Sequence, residues 1–229
     1  MEQLPNGYTL HIPETAFPLS TDSMVLSDFV RIGKNENILD LGSGCGTLGL
    51  MLCARNSGCH VTGVELDSAA HEAALDNIRR NGLQTRMTSI CENICAVNQV
   101  FAPGAFTCCI SNPPYFSGGE ASLKTPLARR DDACTTAQLC QAAAWALQYG
   151  GDFYLVHKPE KLAQLCACAV RAGLEPKRLR LVRHKPNSSV TLILLQCRKG
   201  GRPGLVWEES YLHETDDTPS DYYRKIYHL

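Results

Sequence analysis

The chain has 229 residues, of which 44% are hydrophobic and 20% charged, and its formal net charge at pH 7 is −1. This size and composition are typical of one soluble globular domain that buries a full hydrophobic core. The first residues carry no secretory signal pattern, and no apolar run reaches the roughly 18–20 residues that span a bilayer. We therefore expect a cytoplasmic protein that makes no membrane contact.

The twelve cysteines do not follow a disulfide or metal-binding pattern. No C-x-x-C pair occurs, and most of the thiols lie among Leu, Ala, Val and Ile, where cysteine behaves as a small hydrophobic residue. In a chain without an export signal we expect reduced thiols and no metal site.

Hydrophobic patterns predict strands that alternate with helices along most of the chain. The predicted strands are residues 38–41, 60–65, 86–90, 106–110, 152–157, 178–184 and 189–197. The predicted helices are residues 24–30, 48–55, 68–81, 135–149 and 160–172. The alternation is typical of a parallel, doubly wound α/β sheet, and the last two strands are expected to pair as a terminal hairpin.

A glycine-rich loop connects the first predicted strand to the next helix. Residues 40–46 read D-L-G-S-G-C-G, and glycines at such a turn let the backbone approach a ligand at the helix N-terminus. The G-x-G-x-G spacing differs from the dinucleotide pattern G-x-G-x-x-G, so the loop alone does not identify the ligand.

Polar residues follow the second and third predicted strands. Glu65 ends the second strand roughly 20 residues beyond the glycine loop, where a carboxylate can accept both hydroxyls of a ribose. The alternative for Glu65 is a solvated charge at a strand end. After the third strand, Asn93 or Glu92 offers an acceptor for the exocyclic amine of a bound adenine, with Asn93 as the first choice.

The fourth predicted strand runs into Asn112-Pro113-Pro114-Tyr115. Two prolines cannot continue a strand because neither has an N–H, so Asn112 lies at the carboxyl edge of the sheet, where ligands bind. The Asn112 side-chain oxygen and the Pro113 carbonyl can accept both hydrogens of a planar amine, and Tyr115 can stack on its ring. The amine lone pair then faces an electrophile, and orientation makes the nitrogen nucleophilic. The alternative is a strand-ending turn with a packed aromatic residue.

The glycine loop, Glu65 and the Asn-Pro-Pro-Tyr motif together resemble class I S-adenosylmethionine-dependent methyltransferases that act on exocyclic or amide nitrogens. The resemblance covers residues 20–200. It implies a Rossmann-like fold with a seven-stranded, mostly parallel sheet, an antiparallel last strand and helices on both faces. The methyl group would pass in line from the sulfonium to an amine held by Asn112.

The resemblance also implies a single domain and a set of site residues. Residues 1–30 would extend over the cofactor site, residues 31–200 would form the core and residues 201–229 a tail. The expected cofactor-binding residues are Thr21, Asp40, Gly42, Ser43, Gly44, Gly46, Glu65, Leu66, Asn93 and Asn112. The expected catalytic residues are Asn112, Pro113, Pro114 and Tyr115, and the expected substrate contacts are Tyr115, Phe116, Arg129, Arg130 and Lys185.

Enzymes with this motif act on adenine N6, on guanine N2 in ribosomal RNA, or on the glutamine amide of release factors. Residues 17–23, 128–131 and 222–227 resemble the bacterial family that methylates adenine N6 at position 37 of valine tRNA. That family usually has Ala-Arg-His-Glu in the second segment, where this chain has Arg130 and Asp131. We expect a tRNA adenine-N6 methyltransferase; the alternatives are a guanine-N2 or glutamine-N5 enzyme and a non-catalytic RNA-binding relative.

The distribution of charge favours RNA, although the net charge does not. Residues 1–115 carry 6 basic and 11 acidic side chains, whereas residues 158–202 carry 11 basic and 2 acidic ones. One predicted strand and its following loop contain Lys177, Arg178, Arg180, Arg183 and Lys185. This basic stripe predicts a phosphate-binding surface, with a solvated basic face as the alternative. We expect RNA as the partner of a monomer or weak homodimer.

Overall fold

The computed structural model describes residues 2–4, 7–13, 19–113 and 134–228. The strands in this part of the chain are β1 (Glu2–Gln3), β2 (Thr9–Leu10), β3 (Asn37–Leu41), β4 (His60–Glu65), β5 (Met87–Cys91), β6 (Phe106–Ser111), β7 (Leu147–His157), β8 (Leu174–Arg183), β9 (Val190–Lys199) and β10 (Val206–Tyr211). The helices are α1 (Thr21–Phe29), α2 (Thr47–Arg55), α3 (Ser68–Arg80), α4 (Val97–Val100), α5 (Thr136–Ala146), α6 (Leu162–Arg171) and α7 (Asp221–Tyr227), with 3₁₀ turns at Ile94–Ala96 and Pro159–Lys161.

Eight strands form one mixed sheet in the order β10-β8-β9-β7-β6-β3-β4-β5, and β1 pairs separately with β2. All neighbours in the large sheet are parallel except β9, which is antiparallel to both β7 and β8. Seven strands therefore end at the same edge of the sheet, and this is the edge where α/β sheets bind ligands.

The central strand β3 contributes to two hydrophobic layers because its side chains alternate between the faces of the sheet. Ile38 packs with residues of α1, α2 and α3, whereas Leu39 and Leu41 pack with residues of α4, α5 and α6. The doubly wound fold expected from the sequence is confirmed, and so is the antiparallel pairing of β8 with β9.

The boundary between α5 and β7 differs from the sequence prediction. The predicted helix runs to residue 149, but α5 ends at Ala146 and β7 begins at Leu147, which pairs with Phe106. The β6–β7 register then shifts, so that Cys108 faces Asp152. Gly151 lies so close to β6 that a Cβ there would be 2.8 Å from the Thr107 carbonyl oxygen. The sequence suggests a helix end at Gly150 and Gly151, but both glycines lie within the irregular first part of β7.

The sheet has eight strands rather than the seven implied by the resemblance. The additional strand, β10, lies within residues 201–229 and pairs in parallel with β8 at the outer edge of the sheet. A helix, α7, follows it and packs against the α1 layer through Ile226. The residues expected to form a tail therefore extend both the sheet and one helical layer.

Helix α1 is tied to the C-terminal elements through Asp28. The Oδ2 atom of Asp28 lies 2.9 Å from Arg180 Nη1, and its Oδ1 atom lies 2.7 Å from Lys225 Nζ. Burial opposes ionisation of this carboxyl, but the hydrogen bonds from Lys225 and Arg180 outweigh that effect and lower its pKa below the ordinary value. Below the α1 backbone, the Arg178 guanidinium stacks 3.9 Å from the centroid of the Phe29 ring.

We expect Asp28→Asn to lower the melting temperature at pH 7, because it removes one of the two carboxylates that pair with Arg180, which is 13% exposed. The loss should fall below the roughly 3–5 kcal/mol of a fully buried pair, since Lys225 is solvated. A carboxyl with a lowered native pKa stabilises above its unfolded pKa and loses that effect as pH falls through the native pKa. The difference from wild type should therefore shrink under acidic conditions.

Thermal unfolding between pH 3 and pH 7 measures this difference. Asp76→Asn is the matched control, because Asp76 pairs with Arg80 on the exposed face of α3 and should change the melting temperature little. An Asp28→Asn deficit that stays constant down to pH 3 would contradict an electrostatic role for Asp28.

Candidate active site

Four polar segments meet at the carboxyl edge of the sheet, after the neighbouring strands β6, β3, β4 and β5. The glycine loop follows β3, Glu65 and Leu66 end β4, Glu92 and Asn93 follow β5, and Asn112 and Pro113 follow β6. Parallel pairing brings these segments together, although they span more than 70 residues of the sequence.

The glycine loop is held against the end of β4 by its own backbone. The N–H groups of Gly42 and Ser43 both donate to the Val64 carbonyl, at 2.9 and 3.1 Å. Gly46 then starts α2 with φ of +82°, and a Cβ there would lie 2.8 Å from Met87 Cε. The positive φ would strain any other residue at this position, so the third glycine is required by the turn.

Glu65 anchors the same loop. Its Oε2 atom accepts a hydrogen bond of 2.8 Å from the Gly44 N–H, and its Oε1 atom accepts one of 2.8 Å from the Asp67 N–H. The carboxylate is thus held by backbone donors, unlike the solvated charge considered as the alternative. Each carboxylate oxygen retains a further lone pair, so Glu65 can accept hydrogen bonds from a ligand as well.

Asp40 and Ser43 are buried polar residues without partners among the described residues. Asp40 is 0% exposed, and neither of its carboxyl oxygens nor the Ser43 hydroxyl oxygen has a hydrogen-bond partner in that part of the chain. Burial, and to a smaller extent the neighbouring Glu65 carboxylate, raise the pKa of Asp40 to about 8. Buried groups of this kind are costly unless a ligand satisfies them, which identifies this end of β3 as a place for a polar ligand.

The acceptors beyond β5 are engaged locally. Asn93 Oδ1 accepts a 2.8 Å hydrogen bond from the Cys95 N–H and caps the 3₁₀ turn, and Glu92 Oε1 accepts one of 2.7 Å from the Asn93 N–H. Glu92 keeps its second oxygen, and Leu66 is 56% exposed beside it at the end of β4. An amine and an apolar ring could both be accommodated there.

Asn112 follows β6 directly, as predicted. The end of β6 is fixed by the Ser111 hydroxyl, which donates to the Leu41 carbonyl at 2.7 Å. The Asn112 Nδ2 group donates to Ser23 Oγ of α1 at 3.1 Å, and no described residue donates to Asn112 Oδ1. With respect to the described residues, the side chain therefore presents an open acceptor at the edge where the glycine loop lies.

Other predicted site residues are placed differently or lie outside the described ranges. Thr21 Oγ1 lies 3.1 Å from the hydroxyl of Tyr227, so its side chain contacts α7. The residues outside the described ranges are Pro114, Tyr115, Phe116, Arg129 and Arg130.

Carboxylates pair with four of the five basic residues of the stripe. The fifth, Lys177, donates to the Arg202 carbonyl at 2.9 Å. The ion pairs are Arg178–Glu208 at 3.4 Å, Arg180–Asp28 and Arg180–Glu208, both at 2.9 Å, Arg183–Glu209 at 3.3 Å and Lys185–Asp217 at 2.6 Å. The stripe was expected to bind phosphate or to face solvent, but most of these charges hold β10, α1 and the following loop in place.

Sequence reasoning missed Ser23 as a neighbour of the site. Ser23 directly precedes the predicted helix at residues 24–30, and its partner Asn112 lies 89 residues away. Within the described ranges, no cluster of three His, Cys, Asp or Glu residues could hold a metal ion, and no helix combines the length and apolar character needed to cross a bilayer. All twelve cysteines are free thiols.

The fold is that of methyltransferases. A predicted O-methyltransferase from Agrobacterium tumefaciens superposes with a TM-score of 0.76 at 20% identity, covering 91% of this chain and 96% of that one. The geranyl diphosphate C-methyltransferase of Streptomyces coelicolor, solved with S-adenosyl-L-homocysteine, has a TM-score of 0.54 at 15% identity and covers 77% and 78% of the two chains.

The sequence also matches the model of the methyltransferase small domain family over residues 20–165. A tRNA1(Val) (adenine(37)-N6)-methyltransferase of Tolumonas auensis is 32% identical over 88% of this chain and 84% of its own, and one of Bacteroides fragilis is 27% identical over 96% of both. The Aliivibrio salmonicida enzyme of that name is 36% identical, but the match spans about half of each chain, 55% and 53%. The chain therefore belongs to the methyltransferase small domain family and, within it, to the family of these tRNA-methylating enzymes.

We expect Asp40→Asn to change the pH dependence of stability. A carboxyl whose native pKa of about 8 exceeds its unfolded value keeps a proton in the native state that the unfolded chain has lost. The free energy of unfolding of the wild type should therefore fall as pH rises from about 4 to 8. The amide of the variant cannot ionise, so the free energy of unfolding of the variant should rise relative to that of the wild type across that interval.

Thermal unfolding at intervals between pH 4 and pH 9, without ligand, tests this expectation. Burying the amide changes the stability of the variant by an amount that does not depend on pH. Only the pH dependence of the difference between the two proteins therefore tests the expectation. Parallel curves for the two proteins over the whole interval would show that Asp40 is already ionised in the native state.

Proposed function

We propose that this methyltransferase transfers the methyl group of S-adenosylmethionine to the exocyclic N6 of an adenine in tRNA, at position 37 of valine tRNA. The observation that carries the proposal is the meeting of two sites at one sheet edge. The glycine loop lies after β3, with buried polar groups that have no partner among the described residues. Asn112, whose Oδ1 accepts no hydrogen bond from a described residue, lies after the adjacent strand β6.

The residues after β3, β4 and β5 fit this cofactor. The buried Asp40 and Ser43 oxygens suit the charged amino-acid end, and an ammonium group there would favour the ionised form of Asp40. Glu65 has lone pairs left for the ribose hydroxyls, and the exposed Leu66 offers an apolar surface to an adenine ring. When bound, the cofactor supplies an electrophilic methyl group on a sulfonium.

Asn112 would hold the amine that receives the methyl group. Its Oδ1 atom has no described donor, so it can accept one N–H of the adenine N6, while the Pro113 carbonyl accepts the other. Two acceptors in the plane of the amine leave the nitrogen lone pair perpendicular to that plane. Catalysis then depends on alignment and electrostatics more than on a strong base, because the methylated amine loses its proton readily after attack.

An adenine inside a nucleic-acid stack cannot reach this edge, so the base would be flipped outward. We propose that Tyr115 stacks against it and that Phe116 closes the other side. We propose that Arg129, Arg130 and Lys185 bind the phosphates of the RNA. We also propose that the protein is located in the cytoplasm, together with the tRNA pool. The names of the relatives support adenine N6 over guanine N2 and glutamine N5.

Transfer of labelled methyl from S-adenosylmethionine to unmodified total tRNA, with nucleoside analysis of the digest, tests the proposal directly. We expect N6-methyladenosine in tRNA, and Asn112→Ala should reduce its formation at least 100-fold while leaving cofactor affinity within about twofold. Asn98→Ala, on the exposed surface of α4, is the control and should retain full activity. Label in ribosomal RNA or protein but not in tRNA would reject the substrate, and equal loss of turnover and cofactor binding would reject the role of Asn112.

We expect Glu65→Gln to weaken cofactor binding about tenfold or more by calorimetry. The amide keeps one acceptor oxygen and turns a donor toward the N–H of either Asp67 or Gly44, so one of these two hydrogen bonds and a ribose acceptor are lost. Glu36→Gln, a carboxylate at the opposite end of β3, is the matched control and should bind normally. Unchanged affinity in Glu65→Gln would remove Glu65 from the cofactor site.

A further inference from the structure

The side chain of Asn112 is held by α1. Its Nδ2 group donates to the Ser23 hydroxyl oxygen at 3.1 Å, and Ser23 is 8% exposed, so water competes little for this contact. The two residues are 89 positions apart in the chain, and their hydrogen bond joins α1 to the residue that follows β6.

An asparagine amide has a donating end and an accepting end of nearly the same shape. Only the accepting end can bind the N–H of a substrate amine; the donating end would repel it. With Nδ2 engaged by Ser23, Oδ1 is the end left for the substrate. We propose, on the basis of the function argued above, that Ser23 is a positioning residue that keeps Asn112 Oδ1 directed toward the reacting amine.

Ser23 can perform this role because α1 is fixed along its length. Arg55 donates to the Ser27 and Val30 carbonyls, and Asp28 is paired with Arg180 and Lys225. At the start of the helix, Thr21 contacts the hydroxyl of Tyr227. Because the helix is fixed, the Ser23 hydroxyl is held in one position and can fix the orientation of the Asn112 amide; a catalytic group is held precisely only when its supporting residues are rigid.

A purely structural role for Ser23 predicts different behaviour. A serine that only fills space or satisfies its own hydrogen bond would affect stability, and its loss would leave the balance between binding and turnover unchanged. A serine that orients Asn112 affects the rate of methyl transfer and leaves the affinities intact.

The first test compares three variants at position 23 with a variant of a second serine on the same helix. Ser23→Ala should lower kcat about tenfold, while KM for tRNA, cofactor affinity and melting temperature stay near the wild-type values. Ser23→Thr should restore most of the rate, and Ser23→Cys, whose thiol is a weak acceptor, should fall between Thr and Ala. Ser27→Ala is the control, because Ser27 is equally buried one turn along α1 and its side chain does not contact Asn112.

The second test places the Ser23→Ala change in an Asn112→Asp background. A carboxylate presents an oxygen to the substrate whichever way it is turned, so it needs no partner to select its orientation. The tenfold loss in kcat should shrink to less than about threefold in this background. Where Asn112→Asp has too little activity to measure, the position-23 series decides alone.

Three results would overturn the inference: equal losses in Ser23→Ala and Ser27→Ala, a Thr variant no better than Ala although it is folded, or a rise in KM without a fall in kcat. Failure of the proposed function is a separate outcome, because wild-type enzyme would then leave tRNA unlabelled. The position-23 comparison would in that case be made on the amine that does accept methyl.

Discussion

The site depends on one constraint, the parallel pairing of β3 with β4 and β6. Because these strands run in the same direction, their polar ends meet at one edge of the sheet. Glu65 can then accept a hydrogen bond from the Gly44 backbone, and Ser111 can donate to the Leu41 carbonyl. These two bonds tie the strand ends to one another, so the glycine loop and Asn112 are held by the same backbone framework that forms the hydrophobic layers.

The same framework contains buried polar groups that have no hydrogen-bond partner among the described residues. Burying a carboxyl without a partner lowers stability, and Asp40 has no described donor although it lies in the central strand. Such a group is tolerated when its function requires it, because a ligand that donates hydrogen bonds or carries positive charge recovers the lost energy on binding. Stability and ligand binding are therefore linked at β3, and the neighbouring Glu65 carboxylate strengthens the link by raising the pKa of Asp40 further.

The sequence predicted those parts of the molecule that depend on local patterns. Strand ends marked by glycine or proline, such as those at Gly42 and Pro113, lie where the motifs placed them. Contacts between distant residues could not be predicted in this way: nothing near Ser23 indicates Asn112 as its partner. The basic stripe was misleading for the same reason, since the carboxylates that neutralise it come from other segments, including Asp28 and Glu208.

That neutralisation bears on how a nucleic acid could bind. Arg178 and Arg180 have side chains that are 10% and 13% exposed. Diverting Arg178 to a phosphate would remove one of the two arginines that pair with Glu208, and diverting Arg180 would remove a partner from both Glu208 and Asp28 and loosen α1. Lys185 differs, because its partner Asp217 is 70% exposed and would be solvated if the pair opened. Among the five ion pairs that the stripe makes with described residues, the one at Lys185 therefore opens at the lowest cost. It also lies beyond β8, at the same edge of the sheet as Asn112.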